Sequence, residues 1–402
     1  MRPGVDVISR ALPPPRSAPT NTGVAFIIGA TLLTTTQVAL VHSLSEYVAV
    51  FGDRGTGTEQ PTYDALDVYF REGGSQAYVA STSAAGLMAA KASKSKSTSD
   101  DAEVSAAAVD TGIAAALAAL SKDLGPGQVL IADSTLAATI DNQSALLAHA
   151  LATNRVALLS TADADVTTMT AAGTALQSDP NARYGALFAP SANVPGVTAG
   201  TTRTVPYSAI EAGIIARNDL AYSPNQASAG VLGQSQYALG VNTPAGIADC
   251  DYTDLNEAGV NMARVIYGGV RTYGYRSCAN PTSAPEWLDF GWARLNMGIV
   301  AQSEAIGENY VFSQIDGRGR TIASFGGDLS AMLAVFYNEG SLYGQTPEEA
   351  YDVDVGVAVN TDATIANGEL HAILSVRMSA MAEWVEIEIV KYATDQALPV
   401  AA

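Results

Sequence analysis

The chain is poor in several things. It has two cysteines in 402 residues, Cys250 and Cys278, and they form no CxxC or other metal-ligand spacing. Two isolated buried thiols are the plainer reading; a single disulfide between them stays open. Cations are scarce as well: 21 Lys and Arg stand against 40 Asp and Glu, a formal net charge of −19. A nucleic-acid binder needs basic clusters to displace counterions from phosphates. The nearest approach is Lys91, Lys94 and Lys96 in a serine-rich run, which reads as a solvated loop. Direct binding to DNA or to an anionic membrane surface is disfavoured. Long apolar runs are missing too. Residues 23–33 are broken by Gly and Thr and are too short to span a bilayer, and the opening MRPGVDVISRALPPP has no apolar core of a secretory signal. No membrane insertion is expected, and the chain is expected to stay in the cytoplasm until something releases it.

Recognisable catalytic motifs are also lacking. There is no GxxxxGK[ST], GxSxG or HExxH. The glycine-rich GDRGTG at 52–57 lacks the spacing of a dinucleotide fingerprint and reads as a turn. His42, His149 and His371 are far apart, with no pair at helical spacing, so ordinary surface or core histidines are expected. Asp249 and Asp251 flank Cys250, and Asp352 with Asp354 makes a second DxD. Such pairs can hold metals, but on a strand i and i+2 share what is often simply the solvated face. The expectation is no catalytic residue, no metal and no cofactor.

What is present is apolar and small. Hydrophobic residues make up 48% and charged residues 15%, ample for a core and sparse for the surface of a free monomer. A low-charge surface suits a protein that buries its face against copies of itself. PGVDVIS at 3–9 reads as a short strand, followed by Pro13, Pro14, Pro15 and Pro19, a stiff extended linker. Such a strand is either disordered or adds to a sheet elsewhere, in its own or another subunit. GVAFIIG at 23–29 and VALV at 38–41 read as strands. A helical turn over 45–51, capped by Ser45, and a clear helix over 61–72 ended by Gly73 and Gly74 come next.

From there strands and helices alternate. Strands are predicted at 77–80, 128–132, 156–160 and 184–189, with helices at 106–121, 144–153, 166–177 and 205–217. Residues 90–101 read as an exposed loop. This alternation argues for an α/β layer with a partly parallel sheet. Residues 221–249 are rich in Gly, Ser, Asn and Pro and read as a domain junction or a surface excursion. Long helices are predicted over 287–309, with Leu288, Trp292, Leu295 and Ile299 on one face, and over 322–339. The chain then turns to β at 353–359, 369–377 and 383–389; in the last, EWVEIEI alternates strictly.

In order, these segments resemble the tail sheath family of contractile phage tails, pyocins and related injection systems. PGVDVIS is similar to that family's N-terminal PGVYVEE-like strand, and GVAFIIGAT with ALVHSLSEYVAVFG to its next strand and short aromatic helix. YDALDVYFREGGSQAYVA, ARYGALFAPSANVPG and VPYSAIEAGIIARND follow the same pattern. So do DLNEAGVNMARVIYGGVRTYGYRS, LYGQTPEEAYDVDVGVAVNTDATIANGEL and AEWVEIEI. TYGYRS stands where the family has WGART, and the proline that approaches the family's last strand is absent.

The resemblance implies a structural subunit and not an enzyme. Its implied layout is an N-terminal arm and proline linker at 1–22, an outer α/β domain at 23–250, an inner tube-facing α+β domain at 251–382 and a C-terminal arm at 383–402. It implies a homo-oligomer of rings or helical strands around an inner tail tube, with baseplate and tail terminator proteins as further partners. The location implied is the tail of a virion or injection machine, assembled in the host cytoplasm. It further implies that terminal strands are exchanged to complete a small sheet in another subunit, and that a metastable extended sheath contracts by rigid-body rearrangement, for genome ejection in a bacteriophage. On this chain the arms are Gly4, Val5, Asp6, Val7, Ile8 and Ser9, and Glu383, Trp384, Val385, Glu386, Ile387, Glu388 and Ile389. Arg318 and Arg320 are candidates for tube contact, with a solvated turn as the alternative. A cytoplasmic α/β enzyme binding a ligand at a strand end, or another self-assembling shell protein, remain the competing readings.

Overall fold

A computed structural model of the protein describes residues 21–33, 37–54, 60–83, 110–242, 251–389 and 391. In chain order the first elements are β1 (Ala25–Gly29), β2 (Val38–Val41), α1 (Leu44–Phe51), α2 (Pro61–Glu72), β3 (Ala77–Ser81), α3 (Thr111–Ala119) and β4 (Gln128–Ile131). They continue with α4 (Ser134–Ala137), α5 (Ile140–Thr153), β5 (Val156–Ser160), α6 (Val166–Leu176) and β6 (Gly185–Ala189). Then come β7 (Ala192–Pro195), β8 (Thr202–Val205), α7 (Tyr207–Asn218), β9 (Gly240–Val241), α8 (Asp251–Glu257), β10 (Val260–Ile266) and β11 (Gly269–Tyr273).

Eight of the strands form one sheet in the order β11-β10-β6-β5-β4-β1-β3-β2. The six inner strands are parallel, and only β2 and β11, at the edges, run antiparallel to their neighbours. Inner parallel strands covered on both faces read as unbroken apolar runs, and AFIIG, VALLS and GALFA are wholly buried. Alternate residues serve opposite layers. Ala25 and Ile27 face α1, α2 and α7, while Phe26 and Ile28 face α3, α5, α6 and α8. The expected partly parallel α/β layer is therefore present; its strands lie close to the bounds read from the sequence, while α5 starts four residues before the expected 144 and the described part of the helix expected over 106–121 is Thr111–Ala119.

Helix α7 is the inner brace of the first layer. Its Gly213 lies so close to α2 that a Cβ there would stand 2.8 Å from the Tyr69 carbonyl oxygen. Its Glu211 is fully buried and accepts a hydrogen bond from the Thr272 hydroxyl in β11. Burial pushes that carboxyl up to about 8, against the opposing pull of the Thr272 hydrogen bond.

Several sequence expectations are corrected. Ser43, not Ser45, caps α1: its side chain accepts from the Glu46 N–H at 3.2 Å. The excursion at 221–242 is tied to the body and not a free junction. The buried Glu72 carboxylate accepts from the N–H groups of Gln236 and Tyr237 and from the Ser235 hydroxyl, and pairs with Arg217. A small antiparallel sheet, β8-β7-β9, was not legible in its short polar strands. The large sheet also does not stop at residue 250, because β10 and β11 complete its edge. The remaining expected loop at 90–101 lies outside the described residues.

The rest of the chain builds on two long helices, α9 (Phe290–Glu308) and α10 (Arg320–Asn338). Helix α9 begins at Phe290 and not at 287, because the Asp289 carboxylate accepts from the Gly291 N–H at 2.7 Å and caps it. Its first turns bury Phe290, Ala293 and Met297 in the α/β body. A different face of the same turns buries Leu295 and Ile299 in a separate core with Leu329, Leu333 and Phe336 of α10. The remaining elements are α11 (Pro347–Ala350), β12 (Tyr351–Asp354), α12 (Asp362–Ala366) and β13 (Ile373–Val376). β12 and β13 form a two-stranded antiparallel sheet whose Tyr351, Val353, Leu374 and Val376 pack on that second core. Strand β12 ends early because Asp354 accepts from the Gly356 N–H and turns the chain.

Candidate assembly surface

The terminal segment is held to the body up to one residue and free of it afterwards. Its root begins after β13. The Ser379 N–H donates to the Ser341 carbonyl at 2.9 Å, and the Ser379 hydroxyl to the Gly340 carbonyl at 2.8 Å. The indole N–H of Trp292 donates to the Ser379 carbonyl at 2.9 Å. Met381 then packs against the core of the α/β body. The last tether is an ion pair in which the Arg276 guanidinium donates to both carboxylate oxygens of Glu383, at 2.6 to 3.1 Å.

Arg276 is itself fixed. The buried Asn261 of β10 accepts from the Arg276 N–H at 2.7 Å and donates to its carbonyl at 2.7 Å. Asp289 bridges to the same backbone. Burial pushes its carboxyl up to about 7; the Gly291 N–H opposes this, and the charge of Glu383 adds to it. The root of the arm is thus a coupled cluster of two acids and one arginine.

Beyond Glu383 no residue of 384–389 forms a strand with its own chain. Trp384, Val385, Ile387 and Ile389 are 82%, 72%, 77% and 89% exposed. Four large apolar groups facing water in six residues form an apolar patch of the kind that marks a contact surface. Their alternation with Glu386 and Glu388 gives a segment with the pattern of a strand but no sheet. Sheet margins are available for such a strand: each strand of the two-stranded β12-β13 sheet has a single strand neighbour, and β2 ends the large sheet. The opposite end, β11, is already covered, because residues 230–235 pair with its Val270, Arg271 and Thr272. Unpaired margins of this kind accept an extended segment.

The first arm, Gly4 to Ser9, lies outside the described residues, as do Cys250 and Asp249. Arg318 and Arg320 are both exposed, in and just after the turn that joins α9 to α10; Arg320 sits 3.8 Å from Asp316. In the same turn Phe312 is fully exposed and holds φ at +65°. A bulky side chain in that region costs about 1–2 kcal/mol, so its place at the tip is a feature to be explained. The helices bring Arg318, Arg320 and Phe312 to one connection, while the C-terminal arm leaves from the α9 start.

The other candidates fall into structural roles. Cys278 is buried and free, its thiol pushed up to about 12 by burial. His149 is pushed down to about 4 by burial and by Arg155, whose guanidinium lies 2.9 Å from its ring. His371 pairs with Glu369 at 3.0 Å. Asp352 and Asp354 share the exposed face of β12. Among the described residues no group of three His, Cys, Asp or Glu is placed to hold a metal, and no helix is long and apolar enough to cross a membrane. Sequence reasoning missed Arg276, Asp289 and Ser379 as the arm's root. The Arg276–Glu383 pair spans 107 residues, so no local pattern reveals it.

No protein-family model and no curated protein matches the chain. Solved structures do. A chain of the anti-feeding prophage baseplate in its contracted state is 19% identical; the match covers 97% of this chain and 98% of that one, with a TM-score of 0.70. A chain of the contracted sheath complex of an extracellular contractile injection system, PVC, is 16% identical over 98% of both, at 0.65. The sheath tail protein of Desulfitobacterium hafniense is 9% identical, covering 88% of this chain and 93% of that one, at 0.56. At such identities the likeness is one of fold, and it runs nearly end to end: the chain is built on the fold of the contractile sheath proteins.

Proposed function

We propose that the protein is a structural subunit of a contractile tail sheath. It polymerises around an inner tube and drives that tube through a target envelope when the subunits rearrange as rigid bodies. The observation that carries this reading is the C-terminal arm. It is anchored through Glu383 and then presents an extended segment of alternating apolar residues to water. An extended segment with an exposed apolar stripe and unpaired backbone groups is suited to add to a sheet margin, which covers both at once. The end-to-end likeness in fold to sheath chains supports the same reading.

In this reading Glu383 to Ile389 of one copy and Gly4 to Ser9 of another complete a small sheet in a third. The β12-β13 sheet is the receiving surface, since its inner face is already packed and its outer face carries the solvated Asp352 and Asp354. Exchanged arms keep neighbours joined while the packing between bodies switches from a metastable extended state to a contracted one. The outer α/β body ends with β11, and the α9–α10 unit with the small sheet forms the inner part, with Arg318 and Arg320 turned to the tube. Copies of itself, the tube protein, and baseplate and terminator proteins are the partners. The tail is the location, after assembly in the host cytoplasm. The chemistry required is association, with no catalytic group.

Electron microscopy of the purified chain tests the proposal. Hollow cylinders are expected from the unaltered protein. Deleting residues 1–10, or placing proline at Val5 or Val7, is expected to leave a folded monomer and no cylinders; normal cylinders from these variants would overturn the arm assignment. Neutralising Arg318 and Arg320 together is expected to reduce co-assembly with tube protein while self-assembly persists.

A further inference from the structure

The described chain opens at Asn21, and its first residues are pinned. The Thr22 hydroxyl donates to Asp219 at 2.6 Å. Thr22 also sits against the middle of α9, where a Cβ on Gly298 would stand 3.8 Å from its methyl carbon. The Val24 carbonyl accepts from the Gln128 N–H at 2.8 Å. The described chain therefore begins between α9 and the turn before β4.

A groove of about 1120 Å³ opens further along α9 from that point. One wall is the 122–125 turn, another is the end of α9 with the turn that follows it, and the start of α10 with Ile365, Gly368 and Leu370 closes the rest. Its rim carries Asp123, Glu304 and Glu308, and its single cation, Lys122, is already paired with Glu304. Tyr310, Phe312 and Phe325 supply aromatic surface along it, and Tyr310 and Phe325 stack edge to face at 5.1 Å. The left-handed backbone at Phe312 holds a fully exposed ring at this groove.

The residues before Asn21 have complementary chemistry. Pro13, Pro14, Pro15 and Pro19 favour an extended left-handed helix, and Arg10 and Arg16 flank the proline run. Proline-rich segments in that form dock on aromatic grooves at little conformational cost. Their reach also fits. The ten helical steps from Gly298 to Glu308 span about 15 Å, and the eight residues from Pro13 to Thr20 extend about 25 Å.

We propose that this groove seats the proline linker, Leu12 to Pro19, of the same chain, with Arg10 and Arg16 on its acidic rim. The linker is then a positioned strut that carries Gly4 to Ser9 out past the α9–α10 turn. This rests on the sheath reading for the purpose of the strut. The seat itself is a property of the single chain.

Cross-linking tests it in the full chain. Pro14→Cys and Gly307→Cys are combined with Cys250→Ser; Gly307 lines the groove and has open space for a Cβ. A control pairs Pro14→Cys with Gly240→Cys, also open but away from the groove. At dilutions where sedimentation shows monomer, the groove pair is expected to form an intramolecular link about tenfold more readily than the control, as a raised effective concentration requires. Adding Glu308→Arg is expected to cut that yield several-fold. Yields equal to the control would overturn the proposal. Links found only between chains would also overturn it and assign the groove to a second copy's linker. Cylinder formation is scored separately: a variant that links but makes no cylinders counts against strand exchange and not against the groove.

Discussion

Strand β1 and the terminal segment 384–389 are both short apolar β sequences. Ala25, Phe26, Ile27 and Ile28 have no exposed surface, whereas Trp384, Val385, Ile387 and Ile389 are 72% to 89% exposed. The contrast lies in pattern as much as in place. β1 is apolar on both faces, and its own chain supplies helices to both. The arm is apolar on alternate positions and carries Glu386 and Glu388 between them. A segment of that kind needs a sheet with one face to cover, and its own chain does not provide it. The body is a finished fold; the arm is half of a contact.

Breaking the arm is expected to have the largest effect, and only on assembly. Val385→Pro with Ile387→Pro removes two backbone donors. The proteins should lose cylinders completely in electron micrographs while chemical denaturation of the monomer shifts by less than about 0.5 kcal/mol. A large loss of monomer stability would mean that the arm is part of the body.

The body should respond in the opposite sense. Glu211 stays protonated in the fold up to about pH 8 but ionises in the unfolded chain near its ordinary 4.5. Its carboxyl binds more protons folded than unfolded across that window, so its stabilising share is full below about pH 4.5 and is lost as pH rises through 8. The span corresponds to about 4–5 kcal/mol at most. Denaturation curves of Glu211→Gln should match the parent near pH 4.5 and exceed it in stability at pH 9. A parallel loss at both values would contradict the protonated state.

Ile27→Ala, in the centre of β1, is expected to cost about 3 kcal/mol in the same denaturation experiment, in keeping with buried large-to-small changes. The smallest effect belongs to the junction of the two regions. Arg276→Ala removes a partly exposed ion pair, worth about 1 kcal/mol or less. Amide exchange at 379–383 should quicken while β1 stays protected.

The body was legible because its signals are local. Runs such as VALLS and the helix that starts on Pro61 and is closed by Gly73 carry their own instructions, and their bounds agree with the structure. The β7–β8 hairpin was not, because Thr202, Arg203 and Thr204 give no apolar alternation and their pairing comes from Asn193 and Val194. The edge hairpin β10–β11 was hidden in a stretch read through its resemblance rather than its period; the turn at Tyr267 and Gly268, both with positive φ, is its only sharp local mark. The arm's alternation was plain in EWVEIEI, but its root was not. Arg276, Asn261, Asp289 and Ser379 meet only through the tertiary fold.

The central claim is that the arm completes a sheet in another copy. Chains carrying Cys250→Ser, Ile387→Cys and Ser375→Cys, half of them labelled with nitrogen-15, can be assembled together and joined with a short bismaleimide. Mass spectrometry of the 375–387 link then separates its two possible origins. The account predicts links that join labelled to unlabelled chains in assembled cylinders. Links confined to chains of one label would contradict it.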